Sequence, residues 1–215
     1  MLKTAINAIA DQTTEPLLEV DFPVTPGSKI SSLHNYSLYC ALKGKLPWIK
    51  DCPCTAISTI AGIRNGKGQI ETAEFSRLQI RTPLSKASQF YALAGQSLSI
   101  GQAEIALKVP TITLLRPKST LKARIVVIHL KPREEFPSPD RFLAVATRQL
   151  NERGIQGRVS LLLRRGALDN KILLVKQQKI PGYGVQVSGL SESDSLKLQE
   201  VGLGGKRKMG AGYFL

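Results

Sequence analysis

The sequence is sparing with the residues that usually carry enzyme chemistry or extracellular stability. Its 215 residues include two histidines, three cysteines and one tryptophan, and aromatic residues make up 6%. Three cysteines are too few for a disulfide-built scaffold and suggest a reducing compartment. Cys52 and Cys54 flank Pro53, but no second Cys/His pair lies near enough to complete a zinc site, so neither a metal nor a cofactor is expected. No stretch reaches the roughly 20 apolar residues that span a bilayer. The opening MLKTAINAIADQ lacks the sustained apolar core of a signal peptide. We therefore expect a cytoplasmic chain that makes no use of a membrane. The shortage of aromatics also argues against a sheet that stacks bases on paired rings, since no strand-like run carries such a pair. No cluster of carboxylates suggests two-metal chemistry.

Acidic residues are scarce too. Lys and Arg number 30 against 16 Asp and Glu, a formal charge of +14 at pH 7. Residues 1–115 hold 11 basic and 8 acidic side chains, a net of +3, whereas residues 116–215 hold 19 and 8, a net of +11. Such asymmetry favours a polyanionic partner, nucleic acid first, gripped mainly by the second half.

The hydrophobic pattern reads as β-α-β-β-α-β, twice. In the first half, strand patterns at Leu17–Phe22, Ala56–Ile63, Phe75–Arg81 and Ala103–Val109 alternate with two helix patterns. One spans Ser32–Lys43, capped by Ser31 or Ser32 and stopped by Gly44. The other starts at Thr82-Pro83, with apolar residues at 84, 87, 91 and 94, and stops at Gly95. In the second half, Leu121–Lys131 is a β-branched strand, and Ser138-Pro139-Asp140 supplies cap, proline and first-turn acid for a helix ending at Gly154. Val159–Arg165 and Ile172–Gln178 predict a hairpin across residues 166–170, with further strand at Val185–Gly189. Ser191 and Asp194 open a last helix, and Gly212–Leu215 is a final strand. The fold class predicted is α+β, with two tandem ferredoxin-like domains at 1–113 and 114–215.

The most informative segment is Gly202 to Phe214. Five glycines within eleven residues let backbone approach a phosphate, and Lys206, Arg207 and Lys208 bring charge to the same place. The loop resembles the C-terminal glycine-rich signature of the CRISPR repeat-processing endoribonucleases, the sixth family of Cas proteins. Leu33-His34-Asn35-Tyr36-Ser37-Leu38-Tyr39 is similar to that family's His-x-Tyr-x-Leu-Tyr segment. Leu46-Pro47-Trp48, the run from Ser76 to Pro83, and Leu93-Ala94-Gly95-Gln96 agree with it. The likeness is to the MYXAN-type branch and covers nearly the whole chain. It implies tandem ferredoxin-like domains and binding of a CRISPR repeat RNA hairpin. It also implies metal-independent cleavage to a 2′,3′-cyclic phosphate and a 5′-hydroxyl, and other effector-complex subunits as candidate partners. A non-catalytic repeat-binding subunit built on the same fold would carry the same loop.

In such a reaction the nucleophile is the RNA's own 2′-OH, so the protein must align it, move protons and stabilise the phosphorane. Two side chains, His34 and His129, titrate naturally near pH 7. His34 falls in the first turn of a predicted helix, where the dipole favours a neutral imidazole and attracts phosphate. It also lies at helical spacing from Leu38 and Leu42, which is compatible with burial. His129 alternates with Ile125 and Val127 and reads as a core or edge histidine. Some relatives have a second histidine where this chain has Ile49-Lys50, which leaves Lys50 as the candidate for charge on the phosphorane or leaving group. Gly204, Gly205, Lys206, Arg207 and Lys208 are the candidate RNA contacts, joined by Arg164 and Arg165 at the predicted hairpin turn. Arg77, Arg81 and Lys131 are weaker candidates. Tyr36 and Tyr39 are read as helix packing or as groups positioning His34.

Overall fold

The computed structural model describes residues 15–130 and 136–215. Lys131 and the segment MLKTAINAIADQ lie outside those residues. The first domain is built on a four-stranded antiparallel sheet: β1 (Leu17–Pro23), β3 (Ala56–Ile57), β6 (Arg77–Pro83) and β9 (Thr111–Leu114), in the order β3-β6-β1-β9. β1 and β6 pair along seven residues, from Leu17 opposite Pro83 to Pro23 opposite Arg77. Side chains alternate across a strand, so this register puts Val20 and Phe22 on the same face as Ile80 and Leu78, all fully buried. Helix α1 (Asn35–Lys45) covers that face with Leu38 and Leu42, one turn apart. β2 (Lys29–Ser31), β4 (Ile63–Arg64) and β5 (Gln69–Glu71) form a small side sheet.

The second domain repeats the arrangement. β10 (Thr120–Val126), β11 (Arg158–Leu161) and β15 (Gln178–Ser188) lie in the order β10-β15-β11, and Phe214 adds the fourth strand position by bridging to Ala123. Both sheets therefore follow the ferredoxin-like order 4-1-3-2, and the tandem ferredoxin-like, α+β expectation holds. Helix α3 (Pro139–Glu152) begins as expected, the Ser138 hydroxyl accepting from the Arg141 amide, and buries Phe142, Ala146 and Leu150 on the sheet. Helix α4 (Glu192–Val201) is capped by Ser191, which accepts from the Asp194 amide at 3.1 Å.

Four local expectations are corrected. The predicted strand Ala103–Val109 is not the closing strand of the first sheet. Residues 103–106 form β8, folded back on β7 (Ser97–Ile100), and the closing strand β9 instead comes from Thr111–Leu114, at the expected domain boundary. The helix after Pro83 is one short α-turn, α2 (Leu84–Ala87), followed by a 3-10 turn over Ser88–Leu93. A three-residue period buries Ala87, Phe90 and Leu93 and leaves Leu84 and Tyr91 exposed, against the helical stripe expected. The expected pairing of 159–165 with 172–178 does not occur. β11 pairs with the far half of β15, while β14 (Asn170–Val175) pairs with the near half across Lys176 and Gln177, both at positive φ as a tight hairpin turn requires. Between them, β12 (Leu163–Arg164) and β13 (Ala167–Leu168) make a separate small hairpin. Finally, α1 starts at Asn35 with His34 as its cap, and it runs through Gly44 to Lys45.

The two domains meet through the back of the first sheet. Glu19 and Arg81 are direct register partners on the face opposite the core. Among the described residues Arg81 is the largest fully buried side chain, and it reaches into the second domain. Its Nε donates to Glu19 at 3.2 Å, while its two Nη atoms donate to the backbone oxygens of Gln199 and Phe214 and to the Gln199 carboxamide. The guanidinium also lies 4.2 Å from the centroid of the Tyr213 ring, whose hydroxyl donates to Glu19. Arg81 is thus an interdomain fastening and not a phosphate ligand. Arg77 is likewise turned to protein, donating to the Glu74 carbonyl at 2.7 Å. Replacing Arg81 by Met should cost about 3–5 kcal/mol, because Glu19 and two buried carbonyls lose their donor. Urea denaturation would measure this, and separate unfolding of the domains is the expected form of the loss.

Candidate nucleic-acid interface

A cleft of about 350 Å³ opens where the domains adjoin. Ser32 and Leu33, immediately before α1, and Arg64 of β4 form its first-domain wall. The opposite wall carries Arg124 of β10, Arg164 and Leu168 of the small hairpin, and residues 169–172. Four cations therefore share the cleft with one carboxylate, Asp169, which is ion-paired to Lys171. The Arg124 side chain is open to solvent, yet surrounding protein holds its pKa below the usual value, helped by Arg64 and opposed by Asp169. Like-charged guanidiniums held together this way are favourably placed for a phosphodiester backbone.

Arg124, Arg64 and Lys171 escaped the sequence reading. Arg124 sits on β10 between buried Ala123 and Ile125, so its outward parity was readable, but nothing in the sequence placed it opposite Arg64. Arg164, which was expected to contact RNA, lines this cleft. Arg165 is exposed at the hairpin turn with φ 52°.

Asn35, Thr59 and Gly210 form the floor between the cleft and the glycine-rich loop. Thr59 Oγ1 accepts from Asn35 Nδ2 at 2.7 Å and from Arg124 at 3.4 Å. Gly210, at φ +78°, packs so closely that a Cβ there would come within 2.2 Å of Asn35 Nδ2 and 2.5 Å of Thr59 Oγ1. His34 stands beside this floor but is sealed, with 1% of its surface exposed. Its Nδ1 lies 2.8 Å from the Ser31 carbonyl, and its Nε2 accepts the Ile60 amide at 3.2 Å. That pairing fixes the neutral tautomer with the proton on Nδ1. Burial, aided by Arg124 and opposed by the Ser31 bond, pushes the pKa down from 6.5 to about 4.

Three of the loop's glycine amides are engaged by the protein itself. The Gly204 amide donates to Gln149 Oε1 at 3.1 Å, Gly205 to the Val127 carbonyl at 2.9 Å, and Gly212 to the Ile125 carbonyl at 2.8 Å. The three cations also divide. Lys206 is exposed. Arg207 turns inward, donates to the Glu200 carbonyl, and is lowered to about 10 by burial first and by the charge of Arg81 second. Lys208 Nζ donates at 2.7 Å to the backbone oxygen of Lys50, which joins the expected loop cation to the 3-10 turn Pro47–Lys50. The Lys50 side chain is exposed. His129, read as a core or edge residue, is exposed instead: β10 ends at Val126, and the chain carries His129 beyond the sheet. Among the described residues, no three His, Cys, Asp or Glu side chains are grouped to hold a metal, and no helix is long and apolar enough to cross a membrane.

Comparison with known proteins gives consistent results. The family model described as Cas6 Crispr matches residues 18–215. The CRISPR-associated endonuclease Cas6 of Myxococcus xanthus (strain DK1622) is 28% identical over 194 residues, covering 90% of this chain and 79% of that protein. Two solved structures share the fold at 16% identity. A CRISPR associated protein Cas6 superposes with a TM-score of 0.64 over 93% of this chain and 98% of that one. A RAMP protein binding different RNA substrates does so with 0.63 over 92% and 98%.

Two stability measurements test the floor. Gly210→Ala should cost roughly 2–3 kcal/mol, through overlap with Asn35 and Thr59 and through its left-handed backbone. Gly205→Ala, at ordinary φ with open space around the missing Cβ, should stay within about 0.5 kcal/mol of wild type. His34 gives a pH signature. Below its usual 6.5 the unfolded chain takes up a proton that the folded chain refuses until about 4, so stability falls as pH falls through that window. Between pH 7 and pH 5 the wild type should lose about 2 kcal/mol more than His34→Gln, as read by urea denaturation.

Proposed function

Because the chain belongs to the Cas6 family, we propose that it binds the hairpin of CRISPR repeat RNA across its interdomain cleft and cuts the strand beside the stem, yielding mature guide RNA. The observation that carries this reading is the convergence of Arg64, Arg124, Arg164 and Lys171 on one cleft shared by both domains. The same chemistry is named in the relatives: an endonuclease in one case and an RNA-binding protein in another.

The proposed reaction needs no nucleophile from the protein and no metal ion. The 2′-oxygen bonds to the adjacent phosphorus, the bond from phosphorus to the 5′-oxygen breaks, and the products are a 2′,3′-cyclic phosphate and a 5′-hydroxyl. One proton leaves the 2′-OH and one reaches the departing 5′-oxygen. Arg124, with Arg64 and Arg164 close by, supplies positive charge to the phosphorane, in which an extra negative charge develops. Lys50, Lys208 and the exposed Lys206 extend the cationic surface on the loop side, and Arg165 extends it at the hairpin tip. Gly204 and Gly205 carry the strand past the loop.

His34 is the proposed proton carrier, and its role has a structural condition. In the fold described, its Nε2 lone pair is occupied by the Ile60 amide. RNA binding must open that bond before the ring can accept a proton from the ribose. The occupied imidazole also favours a second reading, in which the chain holds repeat RNA without cutting it and His34 is a strut.

Labelled repeat RNA incubated with purified protein in EDTA separates the two. We expect cutting, lost by about 10²–10⁴-fold in both His34→Ala and His34→Gln while binding is kept. Tight binding without cutting by the wild type would favour the strut. Arg124→Ala and Arg64→Ala should each weaken binding about tenfold and flatten the dependence of log K on log salt by about one unit.

A further inference from the structure

A second cavity lies elsewhere. A pocket of about 470 Å³ sits wholly within the second domain, on the other flank of the glycine-rich loop, and shares no lining residue with the interdomain cleft. We infer that this pocket receives one unpaired nucleobase of the bound RNA, a site separate from the cleft that holds the stem. The inference extends the proposed RNA-binding function and rests on it for the identity of the natural ligand.

Its size is right for one nucleotide, and its walls are of two kinds. Ile180 and Pro181 in the first half of β15, together with Val127 and Leu130, offer apolar surface for the faces of a base. Two carboxamides, Gln149 of α3 and Gln178 of β15, supply polar groups of the sort that read base edges. Gln149 is already oriented: its Oε1 accepts the Gly204 amide at 3.1 Å, which leaves its NH₂ as the group available to a ligand. That fixed donor favours a base edge presenting a carbonyl oxygen or ring nitrogen acceptor. The exposed Lys206 and His129 at the rim suit the accompanying phosphate.

Gly205 supplies an independent argument. Most of the loop's glycines are demanded by the protein itself. A Cβ at Gly202, Gly204, Gly210 or Gly212 would collide with neighbouring atoms, and each has φ between +63° and +78°. Gly205 has neither constraint, for its φ is ordinary and a Cβ there would meet nothing within 4 Å. It is nonetheless on the pocket wall. A side chain at this position would fill space that nothing in the folded chain uses, and an entering base explains why the space is kept.

The test uses the full chain and two probes. Side-chain NH₂ signals of Gln149 and Gln178 and the Gly205 amide are followed by NMR during titration with AMP, GMP, CMP and UMP separately. We expect one nucleotide to shift all three groups, and Gly205→Leu to abolish the shifts while its melting temperature stays near that of the wild type. In parallel, repeat RNA carrying a single abasic site, moved through each unpaired position, is bound to both proteins. One position should weaken wild-type binding about tenfold and leave Gly205→Leu binding unaltered. If no nucleotide shifts the glutamines while repeat RNA still binds, the pocket assignment is overturned and the cleft reading stands. If nucleotides shift them but the repeat hairpin is bound no better than unrelated RNA, the pocket stands and the repeat-specific reading fails. Equal weakening of Gly205→Leu and wild type at every abasic position would also overturn the pocket.

Discussion

A guanidinium removed from water has to be met by acceptors on nearly every side, because its charge persists at any accessible pH. Arg81 meets that demand only by drawing on both domains. Glu19 comes from the strand beside it, while the Gln199 carbonyl and carboxamide and the Phe214 carbonyl come from the other half of the chain. Tyr213 closes the remaining face, and burial raises its phenol well above the usual range, so it stays a donor to Glu19. Gln199 is held in turn by the Arg116 carbonyl of the connecting segment. Any relative displacement of the domains would strand several of these groups at once. The cost of separating them, more than the gain from joining them, keeps the interface in one arrangement.

That arrangement decides where everything else falls. The last strand position, Phe214, is pinned between Ala123 and Arg81, so the glycine-rich loop just before it must run along the domain boundary. Gly210 then comes to rest on Asn35 and Thr59, and Lys208 reaches the Lys50 carbonyl. Arg124 approaches Thr59 from the second domain and faces Arg64 from the first. The basic cleft is therefore a product of docking. Neither domain contains it alone.

The second ferredoxin-like unit was the more legible because its helices are strongly signalled: Ser138-Pro139-Asp140 and Ser191-x-x-Asp194 cap as their residue types predict, whereas the helix expected after Pro83 in the first unit is a short turn. Strand pairing was less legible. β15 runs for eleven residues and serves β14 with one half and β11 with the other, a division set by the turn at Lys176–Gln177 and not by any hydrophobic period. The loop was found for a sound reason, its glycines, yet their chief use was misread. A glycine that admits a phosphate and a glycine that admits a neighbouring carbonyl look alike in sequence; Gly204 beside Val127 is of the second sort. His34 posed the same difficulty. Its spacing from Leu38 and Leu42 already carried the information that it is buried, and the helix-tip argument spoke only to which protonation state burial would favour.

Charge shows why a count of cations overstates a binding surface. The second half carries most of the excess, but part of it is engaged by the fold: Arg207 is turned inward to the Glu200 carbonyl, and Lys208 is tied to the Lys50 carbonyl. Burying Arg207 is costly, and Gly202 is what makes room for it, since a Cβ there would stand 2.7 Å from its Nε. The protein spends cations to bring the loop against α1, and the guanidiniums that remain open, Arg64, Arg124 and Arg164, owe their convergence to that expenditure. Structural and cleft-lining basic residues are thus coupled: weakening the first group would disperse the second without touching any residue of the cleft.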